Sequence, residues 1–330
     1  MATDLGPEQR ESIAEHNEQV QAEASRRTRR SFLGMSVAAV AGFAGFLALF
    51  KSRPVGMLRL PMRKAEEFNR ILAEHVIGET TLAPTYPLAM AAKRARLNGM
   101  GLRRDLDPAS WRLQVAGIDP DLASNPKYMP NLADWKFRFS DEFVAHTLKM
   151  DGESANQPVN ASKMVDSSAK LDPRDPMSVI PERLPGVPGL LLTMEDLRAL
   201  PFTEYATEFK CIEGWSQIMH FGGVRFADFM KAFPPKLNAD GSLPKFVAMT
   251  TADGAFFCGF EMAAMIHPQT LLCYQMSGED LLPAHGWPLR LSMPLKYGYK
   301  QIKQIARITY TNERPKDYWE QFGYDWHGGL

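Results

Sequence analysis

The sequence predicts a mixed α+β fold. Short strands with alternating polarity are interleaved with short helical segments, and no βαβ unit repeats. No glycine-rich dinucleotide loop or phosphate loop accompanies them. The 330-residue chain is 45% apolar and 23% charged, enough for a substantial core. Lysine plus arginine equals aspartate plus glutamate, 38 to 38, so no basic excess points to nucleic acid.

The elements follow in chain order. Residues 1–25 are polar and acidic and are expected to be disordered or a frayed helix. Residues 32–50 are an uncharged apolar run, near the ~20 residues that cross a bilayer. Pro54 and Gly56 separate this run from residues 63–77, an amphipathic helix with Phe68, Ile71, Leu72 and His75 near one face. Asn98 to Gly101 reads as a turn, and Trp111 to Gly117 as a strand. Residues 118–190 are rich in Pro, Asp, Ser and Asn, and read as an insertion of loops and short helices.

Regular pattern returns at Leu191. Thr193 to Pro201 reads as an N-capped helix stopped by proline. Strands are expected at 209–212, 246–251, 271–276, 289–293 and 302–310. Residues 224–233 read as a helix, 254–262 as a turn and strand, and 277–280 as a hairpin turn. The organisation is therefore a signal-bearing segment, 1–31, an apolar signal or anchor, 32–50, and one catalytic domain, 57–330, carrying the 118–190 insertion.

Arg29-Arg30-Ser31-Phe32-Leu33 resembles the twin-arginine export signal, departing from it at Gly34. The apolar run ends Leu47-Ala48-Leu49-Phe50-Lys51, a poor match to a small-residue cleavage site. Its retention as a membrane anchor is the expectation, with Arg26 to Arg30 cytoplasmic and the body in the periplasm or at the exterior face.

The three cysteines, Cys211, Cys258 and Cys273, lack the paired spacing of a zinc site. Cys258 and Cys273 can pair only if their Cα atoms come within about 7 Å; otherwise they are buried thiols. There is no HExxH, no C-x-x-C-H haem motif and no cysteine cluster for iron–sulfur. Cys211 sits in Cys211-Ile212-Glu213-Gly214-Trp215-Ser216, where a strand-end thiolate can serve as a soft metal ligand. Alone, that segment equally describes a buried structural cysteine. A second block runs His285-Gly286-Trp287-Pro288-Leu289-Arg290-Leu291, then Pro294, then Lys296-Tyr297-Gly298-Tyr299-Lys300-Gln301-Ile302-Lys303. Its arginine fork and lysines suit a buried phosphate.

Together the two blocks resemble the sulfite oxidase family of molybdopterin-dependent oxidoreductases, in the bacterial branch of periplasmic methionine sulfoxide reductase catalytic subunits. The resemblance covers residues 98–117 loosely and 189–324 closely; the insertion departs from it. It implies the mixed-sheet sulfite oxidase-type fold and a molybdenum-molybdopterin cofactor, with Cys211 as metal ligand. It implies cofactor contacts from Asn98, Thr251, His285, Arg290, Gln301, Ile302 and Lys303. Arg225 is a candidate for holding an anionic substrate. The expected activity moves an oxygen atom to or from a small S-oxide, N-oxide or sulfur oxyanion. The expected partner is a membrane haem-containing electron-transfer subunit. A sulfite dehydrogenase using a soluble cytochrome and a non-catalytic anchored binding module are the alternatives. With the chain stopping at Leu330, shortly after the second block, a monomer is expected apart from the redox partner.

Overall fold

The structure, a computed structural model, describes residues 26, 36–55, 58–76, 81–93, 95–96, 102, 106–139 and 184–330. The chain divides into two compact units, residues 1–65 and 66–330.

Residues 36–51 are helical, and Val37, Val40, Phe43, Phe46 and Phe50 are all exposed on them. Residues 32–35 of the expected span lie outside the described residues. Among the described residues no helix is long and apolar enough to cross a membrane, so the expected spanning helix is not found there. A small hairpin, β1 (Pro54–Val55) and β2 (Leu58–Arg59), follows. Helix α1 (Leu60–Val76) comes next, with Phe68, Ile71 and Leu72 exposed.

The remaining strands are β3 (Thr85–Tyr86), β4 (Leu113–Ala116), β5 (Tyr128–Met129), β6 (Gly189–Leu192), β7 (Phe202–Lys210) and β8 (Ser216–Arg225). After them come β9 (Phe246–Thr251), β10 (Phe257–Glu261), β11 (Leu271–Met276), β12 (Glu279–Asp280), β13 (Arg290–Ser292) and β14 (Ile305–Thr311). Short helices α2 (Met194–Arg198), α3 (Phe226–Ala232) and α4 (Met262–Met265) connect them. One sheet has the order β10-β9-β14-β4-β6-β5, and the other β12-β11-β8-β7-β3, with β13 also pairing β11. The β14–β4 pair is parallel and its neighbours are antiparallel, so the sheet is mixed, as expected from the sequence.

Both sheets, with helix α3, turn apolar side chains into one cluster, including Leu113, Leu192, Val224, Leu272 and Ile308 from the strands and Phe229 from the helix. Each such side chain contributes about 1.5–3 kcal/mol by leaving water. Helix α2 starts where expected: the Thr193 and Asp196 side chains cap each other's backbone N–H groups. The expected helix at 224–233 begins only at Phe226, because Val224 and Arg225 finish strand β8. Sequence pattern missed most of β8. Gly222 and Gly223 interrupt its alternation, yet a Cβ on Gly223 would lie 2.0 Å from the Leu272 carbonyl oxygen. Gly223 marks where β11 approaches closely and Gly222 where the Phe202 ring packs, not a break in the strand.

Within the expected insertion, residues 118–139 and 184–190 are described, and residues 140–183 lie outside. The described part holds single turns at Pro120–Ser124 and Leu132–Asp134 and the strands β5 and β6. Leu132 is fully buried, so this segment contributes to the core. Cys258 on β10 and Cys273 on β11 are both free and buried, and they lie on different sheets. The disulfide considered from sequence is therefore absent from the structure.

Two buried lysines fasten the C-terminal residues. Lys300 Nζ lies 2.5 Å from Asp317 and donates to the carbonyls of Gly259 and Trp326. Lys296 Nζ sits 3.4 Å from Glu261, whose other oxygen lies 2.7 Å from His327 Nδ1. Burial alone would raise the Glu261 pKa. The His327 hydrogen bond and the Lys296 charge outweigh it, lowering the carboxyl from 4.5 to about 2. A depressed carboxyl stabilises the fold fully above pH 4.5, and that contribution disappears as pH falls towards 2. Glu261→Gln is expected to cost about 3 kcal/mol at neutral pH, because it takes the carboxylate charge away from the buried Lys296 and His327. Its stability should also fall less steeply than wild type between pH 4.5 and 2, as denaturant unfolding at each pH would show.

Candidate active site

The tip of the β7–β8 hairpin presents Cys211. The turn is closed by Cys211 N–H to the Trp215 carbonyl, 2.9 Å, and by Gly214 N–H to the Cys211 carbonyl, 3.1 Å. Gly214 holds φ +87°, a left-handed conformation that glycine adopts without a Cβ penalty. The chain order Cys-x-x-Gly-Trp thus folds the thiol back over the hairpin end. Trp215 stacks on Phe209 at 5.8 Å and donates its indole N–H to Glu213. Arg96 lies over the same indole, 5.0 Å from the ring centroid.

The facing wall comes from the second sequence block. Arg290 enters on β13, buried, with one N–H bonded to the His285 carbonyl at 2.9 Å. Its Nε is buried with no partner among the described residues. Its guanidinium lies 4.7 Å from the Phe221 ring centroid. Gly286, at φ +102°, lets the Lys303 side chain pass: a Cβ there would meet Lys303 Cβ at 2.7 Å. Gln301 donates to the carbonyls of Met293 and Lys296, which fixes the short turn leading to Ile302 and Lys303.

Cys211, His285, Arg290, Gln301, Ile302 and Lys303 line one cavity of about 260 Å³. The structure therefore brings together six of the positions expected from sequence. Two others do not join them. Arg225 caps α3 and pairs with Asp228 at 2.8 Å; it does not line the cavity. Thr251 is buried, and its hydroxyl closes the β9–β10 turn through Asp253 and Phe256, so it too is off the cavity wall. Asn98 lies outside the described residues. Lys300, a candidate phosphate cation by sequence, is committed to Asp317 instead. Sequence reading missed Arg96, Gln217, Phe256, Trp319, Tyr299 and Tyr324 as cavity residues. Arg96 carries no local signal, being one of several cations in residues 93–96; a long-range hydrogen bond from its backbone N–H to the Gln217 side-chain oxygen, 2.9 Å, holds it near Trp215.

The electrostatics of this cavity are one-sided. Burial, then the nearby Arg290 and Lys303 charges, pushes the His285 pKa down to about 4. Burial brings Arg290 down to about 10. Burial and the Arg290 charge bring Lys303 down to about 7, partly offset by Cys211. Burial also raises the Cys211 thiol, with the Glu213 backbone N–H the main opposing effect. Among the described residues Glu213 is the one carboxylate on the wall, and it accepts the indole N–H of Trp215. A buried guanidinium with a spare N–H beside a second cation calls for an anion from outside the chain.

The donor set makes the same point about a metal. Among the described residues no group of three or more His, Cys, Asp or Glu could hold an ion. A single soft sulfur opposite a cation cluster fits a metal that arrives with its own ligands on a phosphate-bearing organic group. A molybdopterin is such a group: Cys211 would supply the protein's sulfur, and Arg290 and Lys303 would hold the phosphate.

Comparison with known proteins agrees. Residues 187–319 match the family profile described as the oxidoreductase molybdopterin binding domain. A chain of Azospira oryzae assigned as protein-methionine-sulfoxide reductase subunit YedZ1 is 39% identical over 137 residues, 42% of this chain and 50% of its own. The protein-methionine-sulfoxide reductase catalytic subunit MsrP of Campylobacter jejuni is 33% identical over 155 residues, 42% of this chain and 50% of its own. The solved sulfane dehydrogenase SoxCD of Paracoccus pantotrophus aligns with 40% of this chain and 37% of its own, at 20% identity and a TM-score of 0.36, too distant to carry an argument. The chain spans about half the length of the curated relatives it matches. The profile covers both the Cys211 hairpin and the His285–Lys303 wall of the cavity, so the residues that build the cavity lie in a region similar to the oxidoreductase molybdopterin binding domain.

Proposed function

We propose that this chain is the catalytic subunit of an exported molybdenum-pterin oxidoreductase that reduces an S-oxide, the methionine S-oxide named for its relatives being the first choice. The observation that carries the reading is one soft thiol, Cys211, sharing a cavity with Lys303 and with buried Arg290, whose Nε has no partner among the described residues. When bound, the molybdenum group supplies two-electron oxygen-atom transfer. The chain's own residues bind and orient it. Arg290, Lys303 and His285 hold its anionic and polar edges, while Phe209 and Trp215 form an apolar wall that limits water. The Cys211 thiol, kept protonated by burial, gives up its proton on becoming a metal ligand. The overall reaction breaks the S=O bond, consumes two electrons and two protons, and releases the sulfide and one water.

Electrons must come from a separate donor, and a membrane haem subunit fits the address. The Arg29-Arg30 signal would export the folded chain, and residues 32–50 would tether it beside that donor on the periplasmic face. The exposed apolar side chains on residues 36–51 support the tether. A sulfur oxyanion is the second reading, favoured by the Arg96 cation at the cavity wall. Holoenzyme with reduced viologen should reduce methionine S-oxide, with dimethyl sulfoxide and trimethylamine N-oxide as comparators. Sulfite-dependent reduction of cytochrome c without any sulfoxide turnover would replace the first reading by the second.

A further inference from the structure

Helix α1 (Leu60–Val76) is amphipathic in sequence, and such a helix ordinarily buries its apolar face against a core. Here the fold leaves that face open. Phe68 is 64% exposed, and Leu60, Ile71 and Leu72 are exposed with it. Their spacing, i, i+8, i+11 and i+12, sets them along one side of the helix, within an arc of about 120°. Glu67 sits at the edge of this stripe and Asn69 on the opposite side, both exposed. Four large apolar side chains in one stripe call for a cover that the described residues do not supply.

Charge identifies the cover. Residues 51–65 hold Lys51, Arg53, Arg59, Arg63 and Lys64, and no aspartate or glutamate. Lys51, Arg53 and Lys64 are exposed. A basic cluster running into an apolar stripe is complementary to an anionic lipid surface. Headgroup phosphates meet the cations, and the acyl boundary takes the apolar side chains. Lys64 projects near the stripe, where its four-carbon stem can lie along apolar neighbours while the ammonium reaches the phosphates.

Position agrees with charge. Ser52 Oγ donates to the Leu49 carbonyl at 2.6 Å, and Arg59 donates to the Ser52 carbonyl at 2.9 Å. The Leu60 N–H donates to the Arg53 carbonyl at 3.0 Å. The β1–β2 hairpin therefore folds the chain back, and the first residue of α1 is bonded two residues beyond Lys51, where the apolar helix ends. A helix that starts this close to a bilayer tether starts in the headgroup layer.

We infer that α1 and the basic hairpin before it form a second membrane contact, with the helix lying in the plane of an anionic bilayer surface and its apolar stripe in the acyl boundary. This contact rests on the tether reading above and adds the lipid class that the chain selects.

The test is nitroxide labelling of the full chain on vesicles of phosphatidylglycerol and phosphatidylethanolamine. Ile71→Cys, Asn69→Cys and Val40→Cys are each labelled in Cys211→Ser protein, in which the remaining native thiols, Cys258 and Cys273, are buried. Oxygen concentrates in the acyl region and a nickel chelate in water, so the ratio of their collision rates with the label reads depth. The ratio at Ile71→Cys is expected to be about fivefold that at Asn69→Cys. Lys51→Gln, Arg53→Gln and Lys64→Gln together should lower the insertion equilibrium on the order of a hundredfold, about fivefold per charge. Vesicles of phosphatidylcholine alone should do the same. Equal, water-like ratios at Ile71→Cys and Asn69→Cys on the anionic vesicles would overturn the contact. So would an Ile71→Cys label shielded from both probes, because protein rather than lipid would then cover the stripe. Equal insertion into phosphatidylcholine would overturn the charge selection. Val40→Cys keeps the tether separate: a water-like label there removes the tether, and Ile71→Cys still decides α1.

Discussion

Cys211→Ser is expected to lose on the order of a thousandfold or more in sulfoxide turnover while melting within a few degrees of wild type, because a hard hydroxyl replaces a soft sulfur ligand at a surface turn. The fold should tolerate the change. The hairpin is closed by backbone hydrogen bonds between Cys211, Gly214 and Trp215, and these do not involve the thiol. Serine fits the same turn. Its oxygen, however, does not give the electron-rich sulfur that a soft metal centre prefers. Viologen-coupled kinetics beside a thermal melt separate the two effects. Turnover preserved in Cys211→Ser would remove Cys211 from the chemistry, whatever the fate of the fold.

Arg290→Met acts at the other end of the cavity. In the cofactor-free protein Arg290 is a buried charge whose Nε has no partner among the described residues, and burial already depresses its pKa to about 10. A buried ion replaced by an apolar chain of similar volume often stabilises a protein by about 1–4 kcal/mol. The lost hydrogen bond to the His285 carbonyl offsets part of this. The cofactor-free variant is therefore expected to melt no lower than wild type. The loaded protein should behave in the opposite way. A charge-assisted bond to phosphate contributes about 1.5–3 kcal/mol, so pterin retention through dialysis should fall about ten- to hundredfold. The combination of unchanged cofactor-free stability and weakened retention identifies an anion site. A variant that melts early and holds its pterin as wild type does would make Arg290 a structural residue.

Much of the fold was readable because strands 246–251 and 271–276 are short, largely apolar runs bounded by turn residues, and they form at those limits. Strand β8 was not readable, since Gly223 has its reason in a neighbour far along the chain, at Leu272, and Gly222 in the Phe202 ring of the adjacent strand. The cavity was legible wherever chemistry is concentrated in short blocks, as in Cys211–Ser216 and His285–Lys303. It was illegible where the deciding fact is a partner. Lys300 and Lys303 look alike in sequence, yet Asp317 takes one and the cavity receives the other. Arg225 and Arg96 show the same limit. Asp228, three residues on, holds Arg225 at the start of α3, while a long-range hydrogen bond to Gln217 holds Arg96 near Trp215. Aromatic residues from the last stretch of the chain, Trp319 and Tyr324, complete the wall only because two buried lysines fasten that stretch to β10.

The most direct test of the account is the metal content of protein matured in a host that makes the cofactor. Elemental analysis should find about one molybdenum per chain in the wild type, with pterin in matching amount, because the one protein ligand and one phosphate site serve a single group. Less than about a tenth of a molybdenum per chain, unchanged by Cys211→Ser, would contradict it, leaving a cation-lined cavity that holds some other anion.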